Sequence, residues 1–401
     1  AFLKKFYWLS FGKVRASWGK SGQKFSQPYL AQGLMDSNDE TFLGSAGMMP
    51  SSKGGMINRK LSWQETAQYD LGLDMSMFDY RLKFTLDYYY RYTKGELNQI
   101  SLPGDVFYHS FQWQNALDVS NQGIELELTA DLFRETEVNV SRNWNRFEKS
   151  SDGFDFNGNV KGKPLYRMGV YKTDGYYAST DDVPVYPTTS GMPQPLYGVN
   201  GGGIFFAGTR RIVDLDGDGR IGESDMYYAA SPLPTAYGGF INEIKWKQFD
   251  VNIFFNYSLG RHILNMTRYA TLKPGSAGSP IFADIRNLDT WQGPDSKNAD
   301  YPYFQMYSQL PVQYSGRIDS NMETVHMLRL KQLTLGYNLH EQVARRIGLS
   351  AARLFCTFEN LFMLTNYSGL DPEIVNVTTG IDNQQGYPLP RKFTVGLTIN
   401  F

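Results

Sequence analysis

The sequence predicts an all-β protein, and within that class a transmembrane antiparallel β-barrel with long extracellular loops. Three observations carry the prediction: a surplus of aromatic and turn residues, segments that alternate polar and apolar residues over unusual lengths, and connections that alternate between short and long. Aromatics make up 15% of the 401 residues, with 27 Tyr, 26 Phe and 39 Gly. Such a composition favours strands and turns over helices.

The alternation is clearest from Arg81 to Thr93, where Leu82, Phe84, Leu86, Tyr88, Tyr90 and Tyr92 fall on one face. Lys83, Thr85, Asp87, Tyr89 and Arg91 fall on the other, as a period of two requires. At about 3.3 Å per residue, such a run crosses a hydrocarbon layer while tilted. The same pattern marks Tyr69 to Met75, Ile124 to Leu128 and Phe249 to Tyr257. Glu125 and Glu127, between the apolar positions of their strand, are expected to face water. The last segment places Phe393, Val395, Leu397, Ile399 and Phe401 on one face. An amphipathic strand that ends in an aromatic resembles the signal read by outer-membrane assembly machinery.

About ten strands follow from this pattern, near residues 13–19, 63–75, 81–93, 121–131, 136–147, 237–246, 249–258, 325–338, 352–360 and 391–401. The turns at 76–80, 132–135, 247–248 and 339–351 are short, whereas 20–62, 94–120, 148–236, 259–324 and 361–390 are long. Short periplasmic turns and long extracellular loops have this parity, and it puts Phe401 on the periplasmic side. Leu328 and Leu330 differ in parity from Leu333 and Leu335, which calls for a bulge near Lys331 or Gln332. About ten strands close only a narrow barrel filled by its own side chains, a poor match to charged inward positions and large loops. Part of the barrel is therefore expected to lie outside this sequence, and Ala1 is taken as a boundary within barrel sequence.

Charge and cysteine usage exclude several alternatives. Lys plus Arg number 39 against 40 Asp plus Glu, which leaves no basic field for nucleic acid. The lone Cys356 precludes an intrachain disulfide and is taken as a strand residue. His109, His262, His326 and His340 are too dispersed for a zinc spacing. No apolar run is long enough for a transmembrane helix.

Six sequence blocks then resemble the C-terminal half of SusC/RagA-like TonB-dependent transporters. They are Gly12 to Gln23, Gly162 to Tyr177, Val213 to Asn242, Met327 to Leu339, Ala352 to Glu373 and Tyr387 to Phe401. The resemblance spans nearly the whole chain, with the blocks in the family's order. It implies a plugged barrel of about 22 strands, an N-terminal plug moved by TonB and absent from this chain, and a SusD-like surface lipoprotein as lid. The implied function is TonB-dependent import of oligosaccharide or peptide nutrients across the cell outer membrane, as the barrel subunit of a SusCD-like complex. No enzymatic activity is implied, and transport by this segment alone is not expected.

One motif carries chemistry of its own. Residues 214–225 are laid out like a calcium loop, with Asp214, Asp216 and Asp218 at positions 1, 3 and 5 and Gly219 at 6. The Arg220 carbonyl occupies position 7, Ile221 position 8 and Asp225 position 12. A hard cation needs several oxygens around one point, and alternate Asp residues on a tight turn supply them. Position 12 is Asp rather than a bidentate Glu, and no flanking helices are evident, so weak structural Ca²⁺ binding of about 10⁻⁴ to 10⁻³ M is expected. An Asp-Gly turn that only solvates a loop would carry the same residues.

The 148–236 insertion also holds many aromatics, of which Tyr176, Tyr177, Phe205 and Phe206 are the candidate cargo contacts. Aromatics that pin a long loop to its barrel look the same in sequence. Gly201-Gly202-Gly203 is a flexible turn, since no helix start and no Lys-Ser/Thr follow. Two other functions remain to be weighed. A secreted glycan hydrolase would need facing carboxylates in a cleft, whereas Glu125 and Glu127 are explained as inward acids of a wet barrel. A passive porin or adhesin would share the strands but not the blocks around the calcium-like loop.

Overall fold

The computed structural model of the chain describes residues 7–24, 35–42, 45–50, 55–102, 110–131, 135–150, 159–187, 191–198, 203–268, 289–296, 299, 316–383 and 386–401. Residues 132–134 of the expected turn at 132–135, His109 and the Gly201-Gly202 pair lie outside the described residues. Two compact units are present, residues 1–165 with 238–244, and residues 166–237 with 245–401.

The first unit is built on β1 (Leu9–Gln23), β2 (Gln64–Met77), β3 (Leu82–Ser101), β4 (Phe111–Asp131) and β5 (Glu135–Ser150). Each strand pairs antiparallel with the next. Residues 238–244 of β6 (Ala236–Trp246) lie against β5, where Asn242 Nδ2 donates to Thr136 Oγ1 at 2.5 Å. The registers align the alternating faces into continuous rows. Ala16, Leu71, Tyr88 and Ile124 stand side by side, and so do Val14, Leu73, Leu86, Leu126 and Val140. Among the described residues nothing in the unit covers this apolar face: Leu71 is 55% exposed and Trp18 65%. Lipid is the solvent that such a face requires. At the far ends of β3 to β5 a small dry core of Ala116, Leu117, Val119, Phe147 and Leu165 forms. The segment at 162–165 closes it through Gly162 N to Phe147 O and Phe147 N to Lys163 O.

The second unit contains β7 (Phe249–Asn265), β8 (Met322–Asn338), β9 (Ala351–Thr365) and β10 (Lys392–Asn400), again antiparallel neighbours in chain order. Val251, Leu335, Cys356 and Val395 form one row of its apolar face, and Phe249, Tyr337, Leu354 and Leu397 another. Cys356 is thus an ordinary strand residue. The register slips between Leu330 and Gln332 against β9, and the matching slip against β7 falls at Phe254/Phe255. Lys331 is the extra residue that switches the parity of the leucines, as expected from their spacing.

All ten expected strands are present, but several run further than expected at the end with long connections. β3 continues to Ser101 and β4 starts at Phe111, which leaves only 102–110 of the expected 94–120 loop. Register shifts near Gly95, whose φ is +67°, break the period of two while the pairing continues. β7 likewise passes a shift between Ser258 and Arg261, with Gly260 at φ +66°, before ending at Asn265. The expected short turn at 339–351 contains a helical turn, α1 (Glu341–Arg346), capped by His340 Nδ1.

Between β5 and β6, residues 166–235 fold on themselves. Short pairs join Gly169–Tyr171 to Met226–Tyr228, Thr173–Tyr176 to Arg210–Ile212, and Tyr197–Gly198 to both Gly203–Ile204 and Arg220–Ile221. They enclose a core of Tyr171, Tyr177, Val183, Leu196, Phe205, Ile212, Ile221 and Ile318. The expected 148–236 insertion is thus a small folded region with its own dry interior rather than an open loop.

Candidate functional site

The acidic loop leaves the strand Arg210–Ile212 and returns through Arg220–Ile221. Ile221, at position 8, is fully buried in the core described above and pins the centre of the loop. Gly217 and Gly219 adopt φ of +75° and +80°, a left-handed conformation open to glycine at low cost. A Cβ on Gly219 would also meet the Tyr186 ring at 2.8 Å.

Within this turn the carboxylates fold inward. Asp214 accepts from the backbone N–H of Gly217 at 2.7 Å and of Gly219 at 3.0 Å. Asp216 accepts from Asp218 N, and Asp218 from Arg220 N. Oxygens of Asp214, Asp216 and Asp218 come within 4.8 Å of one another. Asp225 is placed differently from the closing ligand the sequence suggests. It is fully buried, and its two oxygens accept from Leu215 N and Gly222 N, both at 2.8 Å. It clamps the two ends of the loop together.

Electrostatics follow from this packing. Burial pushes the Asp225 carboxyl up, the charges of Asp216 and Asp214 push the same way, and the two backbone N–H groups oppose them. A hydrogen bond from Ser224, then one from the Asp218 backbone, holds Asp216 below the usual carboxylate range. Burial, followed by a hydrogen bond to Asp214, raises the Tyr186 phenol. Among the described residues no Lys or Arg forms an ion pair with any of these four acids. Arg220, the nearest cation in sequence, lies instead over the Tyr197 ring. Three converging hard oxygens with no organic counter-ion are a donor set suited to Ca²⁺.

The aromatic candidates divide. Tyr177 and Phe205 are 2% and 3% exposed and pack ring against ring at 6.0 Å, so they belong to the core of the 166–235 region and offer no face to cargo. Tyr176 and Phe206 are half-buried, and Arg210 stacks on Tyr176 at 5.0 Å. In a region of strands two to four residues long, alternation is too brief to separate core from surface.

The second functional surface is the polar face of the strands. Arg15 bridges Asp74 at 2.8 Å and Asp87 at 2.9 Å, passing over Gly72, where a Cβ would meet the guanidinium carbon at 2.7 Å. Tyr89 reaches over Gly123 to Asn143 Oδ1 at 2.9 Å. In the second unit Asp250 crosses Gly336 to Arg353 at 2.5 Å. Glu125 and Glu127 are exposed on this same face, as expected of inward acids in a wet barrel.

Two buried cations escaped the sequence reading. Arg261 is 6% exposed and donates to the carbonyls of Pro232, Pro372 and Val375. Arg329 pairs with Asp371 at 2.5 Å, with side chains 4% and 2% exposed. Its Nε lies 2.8 Å from Glu373 Oε2, a charge contact off the hydrogen-bond line, and Lys331 pairs with the same carboxylate. Both arginines tie the 366–390 segment to strands. Only their position beside a bulge could have flagged them.

Long antiparallel strands with one uncovered apolar face and one ion-paired polar face are the wall of a membrane β-barrel, and among the described residues no helix is long and apolar enough to cross a membrane. The chain belongs to the family described as TonB dependent receptor-like, beta-barrel, whose model matches residues 7–227. It is therefore a segment of an outer-membrane β-barrel. It is 32% identical to TonB-dependent receptor P3 of Formosa agariphila, covering all of this chain and 40% of that relative. It is 26% identical to TonB-dependent receptor SusC of Bacteroides thetaiotaomicron, covering all of this chain and 38% of that protein. Its fold resembles the solved structure of the RagAB peptide transporter, with a TM-score of 0.74 and 22% identity, over all of this chain and 42% of that one. The chain spans about two fifths of the length of the relatives it matches.

Proposed function

We propose that the whole protein imports oligosaccharide or peptide nutrients across the outer membrane, driven by TonB, as the barrel subunit of a complex with a SusD-like surface lipoprotein. The observation that carries this proposal is the polar face of the strands in a member of this receptor family. Arg15, Asp74, Asp87, Tyr89 and Asn143 line it in cross-strand bridges, a surface suited to water and polar cargo. The apolar face meets outer-membrane lipid. TonB would act through a region outside this chain. Relatives with receptor and transporter names agree with a protein that carries out no catalysis.

In this proposal the 166–235 region sits on the extracellular side, beside the lipoprotein lid and the cargo path. Ca²⁺ held by Asp214, Asp216, Asp218 and the Arg220 carbonyl, with Asp225 as clamp, stiffens it. The ion neutralises carboxylates that otherwise repel one another and takes no part in chemistry. Tyr176 and Phe206 are the aromatic contacts left for cargo.

The test is uptake in the native host. A strain lacking the full gene is grown on single glycans and peptide mixtures, with and without the complementing full-length gene. Loss of growth on one cargo class, restored only while TonB is functional, is expected. Unchanged growth on every glycan and peptide, or uptake that persists without TonB, would overturn the proposal.

A further inference from the structure

The lipid-facing surface of β5 carries a charge that its setting does not explain. Arg142 stands directly opposite Ile124 of β4, in the row that continues through Tyr88 and Leu71. Val138 and Val140 precede it on the same face, and Trp144 and Arg146 follow. Arg142 is exposed and forms no ion pair among the described residues. Its guanidinium lies 4.6 Å from the centre of the Trp144 ring, so the side chain reaches along the strand away from the short-turn end at Glu135. Arg146 has a side chain 60% exposed, and the carboxylate that pairs with it among the described residues, Glu148, is 3.9 Å away and already accepts from Ser120 Oγ at 2.5 Å.

Heights above the short-turn end follow from strand geometry. At about 3.3 Å per residue and a tilt of about 40°, Arg142 is roughly 18 Å above Glu135, Trp144 roughly 23 Å and Arg146 roughly 28 Å. The apolar band of such barrels is about 25 Å tall. Trp144 therefore marks the outer rim, with the strand positions of Arg142 and Arg146 just below and just above it and the Arg142 guanidinium lifted over its ring. A cation reaching up to an interfacial indole is placed where lipid phosphates lie, and a planar guanidinium binds a phosphate in bidentate fashion.

We propose that Arg142, Trp144 and Arg146 form a binding site for the phosphate of an outer-leaflet glycolipid. The lipid chains lie along Val138, Val140 and Leu126, and the phosphate is held at the rim by the Arg142 guanidinium over Trp144, with Arg146 adding positive charge beyond it. The site fixes an annular lipid beside the hairpin of β4 and β5, and it does not depend on which cargo is carried.

The test uses the full-length protein, purified and placed in nanodiscs that contain either lipid A or lipid A from which the phosphates have been removed. Native mass spectrometry after release counts retained lipid. Wild type is expected to retain the phosphorylated form at least tenfold better than the dephosphorylated one. The Arg142→Gln/Arg146→Gln variant is expected to lose that preference while its barrel stays folded, as judged by heat-modifiable migration. Equal retention of the two lipids by wild type would overturn the proposal without any variant. So would an undiminished preference in the variant, or full displacement of the lipid by inorganic phosphate, which would show an anion site rather than a lipid site.

Discussion

Replacing Asp371 by Ala should release the 366–390 segment while the strands remain intact. Asp371 and Arg329 have side chains only 2% and 4% exposed, so the change leaves a buried guanidinium short of its closest counter-ion. Breaking such a pair by deleting one partner costs about 3–5 kcal/mol. Here Glu373 stays 2.8 Å from Arg329 Nε, which moves the cost toward the lower end. Asp371 also accepts from Glu373 N at 3.0 Å and Leu389 N at 3.2 Å, and each N–H left without an acceptor or water adds about 1 kcal/mol or more. A local loss of about 3–4 kcal/mol corresponds to roughly 100- to 1000-fold faster amide exchange in that segment. Hydrogen exchange on the full-length protein in detergent reads this directly. Peptides covering 366–383 should lose protection, while those from β7 to β9 keep theirs. Asp371→Asn, whose single side-chain oxygen keeps an acceptor for one of the two N–H groups, should show a smaller loss. A change below about fivefold in the Ala variant would refute the reasoning, because it would mean that the pair contributes no net stability.

Calcium at about 1 mM, with a Kd of about 0.1 mM, should stabilise the 166–235 region by about 1.4 kcal/mol; proteolysis of this region should slow accordingly in Ca²⁺ over EGTA, and Asp216→Asn should abolish the difference. Tyr177 is pushed up to about 12 by burial, with Arg211 opposing. A raised phenol pKa means the folded state favours the neutral form, so its stabilising contribution is complete below about pH 10 and is lost as pH rises toward 12. Alkaline melting of the region followed by phenolate absorbance should show this fall, and Tyr177→Phe should flatten it. Gly336→Leu should drive its side chain into the Asp250 carboxylate and break the Asp250–Arg353 bridge, reducing the yield of heat-modifiable barrel; Gly293→Leu, with open space around its Cβ position, should not.

The membrane-crossing parts were legible because a period of two with one face in lipid constrains every second residue over ten or more positions. From Leu82 to Tyr92 the expected face and the observed rows coincide, and the parity break at Lys331 predicted a bulge that the register contains. Beyond the hydrocarbon the constraint lapses. Lys94 to Ser101 and Phe111 to Ser120 are paired strand, yet the shifts around Gly95 and the change of solvent hide them from an alternation test. The convergence of Asp214, Asp216 and Asp218 was legible from their spacing, whereas the burial of Asp225 was not. Its position in the motif resembles a ligand's, but burial and the two N–H groups of Leu215 and Gly222 make it a backbone clamp. Tyr177 and Phe205 failed for a related reason, since burial within short strands leaves no periodic trace.

The glycines of the polar face connect sequence to barrel wall most directly. Gly72 sits level with Arg15 on one side and Asp87 on the other, and Gly123 sits level with Tyr89 and Asn143. In each case the middle strand lacks a side chain, and two flanking polar groups meet across it. The bridges tie alternate strands together through side chains as well as through the backbone ladder. They also bind the polar groups to the wall, which keeps its inner surface low and satisfied. A glycine at an inward position of an alternating strand, with polar partners in register on both neighbours, therefore signals a bridge rather than a weak point. The same logic separates the two charged faces of the first unit. Arg15 is answered by carboxylates within the wall, whereas Arg142, on the opposite face, forms no ion pair among the described residues and lies over the Trp144 ring.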